Sequence, residues 1–257
     1  EGYINDAFNA SGWTMKICST GHSVCVEQNF TINFAFLDAD TTPPDPGAPY
    51  TITDDATGGD CQYIGTWNSG SKTCTLTRSI QSESSGIYIN TGSITLDGGT
   101  WDNVIQGPGS STADCSVFGS TISECDYGIL VKGSGVTIKN IRVEGFYIGV
   151  LSINTGSNAI SEVSSSHNKL DGFFLASDER LKLTRFVAEG NLRNGITIEL
   201  GQGTAVSCSD ASAYVISGIS QVSHITGNGG HGIALGTASA GAVNICLDDI
   251  NIRDNSL

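Results

Sequence analysis

The first residue in this chain that could move a proton is His231, set between two glycines in Gly230-His231-Gly232. Glycoside hydrolysis needs two carboxylates around such a site. Asp171 and Asp210 are the nearest in sequence on the preceding side, and neither belongs to a paired motif. His231 is therefore a catalytic candidate without partners. A second group is Lys182, Arg185 and Arg193, preceded by Asp178 and Glu179. Proton abstraction beside calcium-held carboxylates uses a basic side chain of this kind, but a mixed run also reads as a solvated ion-pair patch. Asp54, Asp55 and Asp60 are candidate calcium ligands. The twelve-residue calcium-loop pattern is absent, so a solvated acidic turn is the simpler reading. No CxxC occurs, and His22, His167, His224 and His231 stand apart from the cysteines, which argues against zinc.

The elements that must position these residues repeat. Gly128, Gly149, Gly172, Gly195 and Gly232 each precede an apolar β-forming run, at spacings of 21, 23, 23 and 37 residues. The last spacing is one 23-residue period plus a 14-residue insert. Gly86 reads as an earlier copy, two periods before Gly128. Asparagine stands four residues before three of the glycines, at Asn168, Asn191 and Asn228, and Asn255 falls in the matching place after Ile252. Self-similarity at a fixed period decides architecture. If each period is one turn of a stack, equivalent residues lie about 4.8 Å apart, and the asparagine amides can bond in a ladder. His231-Gly232 then shares a column with Asp171-Gly172 and Asn194-Gly195, and the repeat alone explains its glycine.

Between the columns lie short runs of period two, such as Val136-Thr137-Ile138 and Leu181-Lys182-Leu183. About three short strands fit each period. On these residues the chain resembles the right-handed parallel β-helix proteins, the pectate-lyase-like and NosD-like solenoids, over roughly residues 75 to 257. The resemblance implies an all-β solenoid. Activity does not follow from it, because one fold carries many functions. Polygalacturonases carry a GHG motif beside catalytic aspartates, which the coils before Gly230-His231-Gly232 do not match. A copper role, as in NosD-like proteins, needs His and Met ligands, and this chain has one Met. Phe146, Tyr147, Phe173 and Phe174 are candidates for stacking on sugars, although alternation sends about half of them to the core.

The chain has 257 residues, 39% of them hydrophobic, and a net charge of −14. No basic face for nucleic acid is visible. Eight cysteines suggest the sequential pairs Cys18–Cys25, Cys61–Cys74, Cys115–Cys125 and Cys208–Cys246 among many alternatives. Disulfides imply an oxidising, extracellular compartment. Asn9 and Asn29 begin glycosylation sequons. No apolar run is long enough to span a bilayer. With neither an initiator Met nor a signal peptide at Glu1, the chain reads as a processed product or a fragment.

Residues 1–40 lie outside the repeat and read as β-strands without a sheet. Phe30, Ile32 and Phe34 share one face there. Residues 41–50 hold four of the five prolines and form a stiff linker. Together these stretches resemble the end of an immunoglobulin-like module. Residues 51–257 form the β-helix, of which 51–86 is a lead-in segment. The last coil stops part-way through a period without a cap. The expectation is a secreted structural protein, not an enzyme, needing no cofactor unless calcium. It assembles head-to-tail with copies of itself through the Phe30, Ile32, Phe34 strand, with carbohydrate contact. The alternatives are a polysaccharide-active enzyme, marked by two carboxylates and a base on one outward strand ladder, and a sugar-binding adhesion module.

Overall fold

The computed structural model describes residues 13–18, 25–30, 45–109, 126–153, 156–177, 181–200, 214–217, 223–237 and 245–256. The chain divides into two compact units, Glu1–Pro44 and Asp45–Leu257. In the first, β1 (Trp13–Cys18) and β2 (Cys25–Phe30) form an antiparallel hairpin with Trp13 opposite Phe30 and Cys18 opposite Cys25. Ile32 and Phe34 lie outside the described residues.

The second unit winds coil by coil. Its first coil holds β3 (Tyr50–Ile52), helix α1 (Cys61–Ile64), β4 (Gly65–Asn68), β5 (Thr73–Leu76) and β6 (Ile80–Gln81). The next holds β7 (Ile87–Ile89), β8 (Thr95–Asp97) and β9 (Val104–Gln106). Coils of two strands follow: β10 (Tyr127–Val131) with β11 (Thr137–Glu144), β12 (Ile148–Ile153) with β13 (Asn158–Ser166), and β14 (Phe173–Ser177) with β15 (Leu181–Glu189). Two coils of three strands complete the stack. One contains β16 (Ile196–Leu200), β17 (Tyr214–Ser217) and β18 (His224–Thr226); the other contains β19 (Ile233–Thr237), β20 (Ile245–Asp248) and β21 (Asn251–Arg253).

Equivalent strands pair in parallel. The first face runs β3-β7-β10-β12-β14-β16-β19. The second runs β5-β8-β11-β13-β15-β17-β20, with β4 antiparallel to β5 at its edge. The long strands β11, β13 and β15 also supply the third face, together with β6, β9, β18 and β21. They bend in the middle, where Asn140, Glu162 and Arg185 take φ of 56°, 55° and 50°. Pairing skips these residues: Lys139 stands beside Ser161, and Ile141 beside Val163. This is a parallel β-helix. Its core is filled by stacked apolar columns such as Ile129, Val150, Phe173 and Ile196, all fully buried. Phe173 meets Phe186 edge-on at 6.0 Å.

Two readings of the repeat change. Gly86 and Gly128 are not two periods apart but on adjacent rungs, with Ile87 paired to Ile129. The 42 residues between them are one coil carrying an insert. The stretch 51–86 is itself a coil: Tyr50–Ile52 pairs in parallel with Ile87–Ile89. The linker is correspondingly shorter, because residues from Asp45 onward belong to the solenoid unit. There, Arg78 bonds both Asp45 (2.7 Å) and the Tyr50 hydroxyl (3.1 Å). The start of the stack is closed by α1. Cys61 and Ile64 are fully buried, and a Cys61–Cys74 disulfide ties the helix to β5.

Candidate functional site

One corner of every coil, between third and first face, is built to a rule. Gly190, Gly227 and His167 have left-handed φ of 63°, 65° and 54°, each just before a ladder asparagine. Glycine takes that conformation without steric cost, whereas His167 does not. The asparagines then bond in series. Nδ2 of Asn168 donates to Oδ1 of Asn191 (2.9 Å), Asn191 to Asn228 (2.9 Å) and Asn228 to Asn255 (2.8 Å). Each Oδ1 also accepts the backbone N–H of the preceding asparagine, at 3.0 to 3.1 Å. At the upper end the Phe146 N–H donates to Asn168. Asn168, Asn191 and Asn228 are buried, so each bond replaces water that cannot reach.

The glycine column follows from the same corner. A Cβ on Gly172 would stand 2.7 Å from the Gly195 carbonyl oxygen and 2.8 Å from Nδ2 of Asn191. No side chain fits between the ladder and the next rung. Glycine and asparagine columns, four residues apart in sequence, are two sides of one contact.

The outward side of the first face divides in two. On its earlier coils it is apolar: Leu130, Leu151 and Phe174 are buried and cluster with Tyr127 and Ile148. On later coils it turns polar. Asp171, immediately before the column glycine, is wholly buried and takes a bidentate pair of bonds from Arg193, one coil on. Its Oδ1 also accepts the Asn194 N–H (3.1 Å). The Asn194 amide donates to Thr197 (3.0 Å) and accepts the His231 N–H (2.9 Å). Glu199 stands two residues past Thr197 on β16. Burial pushes its carboxyl above the usual range; the charge of Asp171 adds to this and Arg193 opposes it.

This cluster was not read from the sequence. Asp171 and Arg193 are 22 residues apart and meet only because one coil separates them. The signal was available as opposite charges one and two residues before successive column glycines. The run Lys182, Arg185, Arg193 comes apart: Lys182 lies exposed on β15, Arg185 pairs with Glu162, and Arg193 pairs with Asp171. Asp178 and Glu179 lie outside the described residues. The outward ladder of the first face does carry two carboxylates, Asp171 and Glu199, beside Arg193. His231 is exposed and contributes only backbone bonds to the corner.

The acidic turn serves the chain itself. Asp54 pairs with Lys72 (2.9 Å), and Asp60 accepts the Thr51 N–H (2.8 Å). Asp55 accepts from Gly59, Thr53 and Thr57, which hold its carboxyl well below the usual range. Among the described residues no three His, Cys, Asp or Glu side chains gather as a metal site. Phe146, Phe173 and Phe174 are fully buried and cannot stack on a sugar; Tyr147 is half-buried.

Among the described residues no cysteine is free, and Cys246 is disulfide-bonded. Cys115, Cys125, Cys208 and Asn9 lie outside the described residues, as do the side chains of Cys18, Cys25 and Asn29. No described helix is long and apolar enough to cross a membrane, which says nothing of a β-barrel.

Comparison with curated proteins and with solved structures returns no match. A family model described as periplasmic copper-binding protein (NosD) matches residues 91–240, well over half of the chain and most of the coils traced above. By that match and by its stacked parallel coils, the chain belongs to the NosD family.

Proposed function

We propose that the chain is a structural module of an exported protein at the cell surface, that it assembles head-to-tail with copies of itself, and that it is not an enzyme. The observation that carries this is the state of the last coil. Leu235, Leu247 and Ile252 continue the core columns of Ile198, Ile216 and Ile225. Yet they are exposed by 61%, 53% and 46%, while the residues they stack on are buried. A strand added by another copy covers them and pairs the edge of the sheet by β-augmentation. The hairpin β1–β2 is the occupant favoured here, because two strands alone are at best marginally stable. Its Phe30, Ile32 and Phe34 are spaced to face an apolar surface. Such a contact is heterologous, and an open filament follows if its rotation does not close.

Copper, carried by the family description, does not fit the donors present. His224 has Glu189 at 3.7 Å and no third ligand beside it among the described residues. The alternative of a polysaccharide-active enzyme draws support from Asp171 and Glu199 on one outward ladder. Asp171, however, is buried and committed to Arg193, which leaves one exchangeable carboxyl where hydrolysis needs two.

Sedimentation velocity over a range of concentrations tests the proposal. The intact chain is expected to form concentration-dependent oligomers, and Leu247→Glu, at an exposed position, to remain monomeric with an unchanged circular dichroism spectrum. A monodisperse monomer at high concentration overturns the assembly reading.

A further inference from the structure

The polar half of the first face has an accessible margin. Arg193 binds Asp171 through Nε and Nη2, which leaves Nη1 for another acceptor, and its side chain is 28% exposed. Asp171 holds the guanidinium in one orientation from a fully buried position. A buried charge pair on the outer side of a sheet is weak evidence for stability, because desolvation offsets most of the attraction. It is better evidence of a pre-set group. Glu199 lies next to this pair, partly exposed, with its side chain across Gly236: a Cβ there would come within 3.3 Å of Cγ. Along the axis Glu199 continues a row. Ile153 stands beside Ala176, and Ala176 beside Glu199, each on its own rung and each half-buried. The strip is therefore apolar at one end and hydrogen-bonding at the other.

We propose that Arg193, Glu199 and the Ile153–Ala176 row form a binding strip for a neutral glycan chain lying along the coil axis. Charge selects the ligand class. A polyanion meets Glu199 on a chain of net charge −14, and a cation meets Arg193. A sugar hydroxyl accepts from Arg193 and donates to or accepts from Glu199. Burial keeps that carboxyl protonated to higher pH than an ordinary glutamate. The C–H faces of successive sugar rings suit Ile153 and Ala176. Rungs repeat about every 4.8 Å, so a linear chain along the axis meets equivalent positions in turn. The strip deepens the carbohydrate contact of the preceding reading without depending on assembly, since its residues lie on the flank of the stack.

Isothermal titration calorimetry of the full chain tests this with three neutral hexasaccharides, β-1,4-glucan, β-1,4-mannan and α-1,4-glucan, and with polygalacturonate as the anionic probe. At least one neutral hexasaccharide is expected to bind saturably. Glu199→Leu and Ala176→Asp are each expected to weaken it tenfold or more, and Glu199→Gln, which keeps the shape of the site, to weaken it less. Ser164→Ala, on the third face, is expected to leave it unchanged. Failure of all three neutral probes, binding of polygalacturonate alone, or equal affinity in Glu199→Leu overturns the proposal. Sedimentation of the same variants is expected to match the parent, so loss of glycan binding and loss of assembly are read separately.

Discussion

The two corners that flank the first face obey different rules. Between third and first face, the later coils use six residues each time: 167–172, 190–195 and 227–232. Between first and second face the connection is 154–157 in one coil, 178–180 in the next and 201–213 in the next. The constant corner carries the asparagine ladder, whose bonds of 2.8 to 2.9 Å span successive coils and tolerate no extra residue. The variable corner is crossed by no such chain of side-chain bonds among the described residues, and lengthening a loop costs little entropy. A solenoid can thus be rigid along one edge and free to change along the other. The candidate binding strip lies between them, its Arg193 fixed in the constant corner and its Glu199 on the strand leading to the variable one.

The difference is sharpest at Arg193. Arg193→Leu leaves Asp171 buried with only the Asn194 N–H, and a loss of about 3 kcal/mol or more is expected in urea unfolding at neutral pH. Adding Asp171→Leu should return much of that stability. A single mutant as stable as the parent breaks the claim that this corner holds a buried charge.

Asn191→Ala comes next. It removes the acceptor of Asn168 and the donor to Asn228 and to the Ser165 carbonyl. A cost of about 1–3 kcal/mol follows from the partners left unsatisfied. Unchanged thermal melting contradicts a ladder that contributes to stability.

The smallest effect is expected in the other corner. Four Gly and Ser residues inserted after Ser134 should cost no more than about 1 kcal/mol. The same insertion after Leu192, inside the constant corner, should prevent cooperative unfolding of the native kind. Equal losses at the two sites would erase the distinction between them.

Much of the fold was legible because the constant corner writes itself into the sequence. A glycine with an asparagine four residues earlier marks each rung from Gly172 onward, and both are there for one contact. Legibility failed where a coil departs from that corner. Ser82 takes the place of the asparagine before Gly86, and its hydroxyl bonds the Ser85 carbonyl instead of a neighbouring coil. Gly107 stands 21 residues before Gly128 and imitates a rung, although it follows β9 on the third face. Spacing alone could not separate an insert from a coil. The polar cluster was hidden for a different reason. Asp171 and Arg193 carry ordinary surface residue types, and only stacking shows that the aspartate is buried.

The asparagine ladder also has a direction. Every amide from Asn168 to Asn255 receives on its oxygen from one side and gives from its nitrogen to the other. A coil threaded one residue out of register would meet this series with the wrong group, or with none. The series therefore works as a parity check on winding: each turn is accepted only if its amide arrives in phase. In a repeat whose strands look alike, and in which a slipped pairing would otherwise lose little, that check lets near-identical coils stack in a single order.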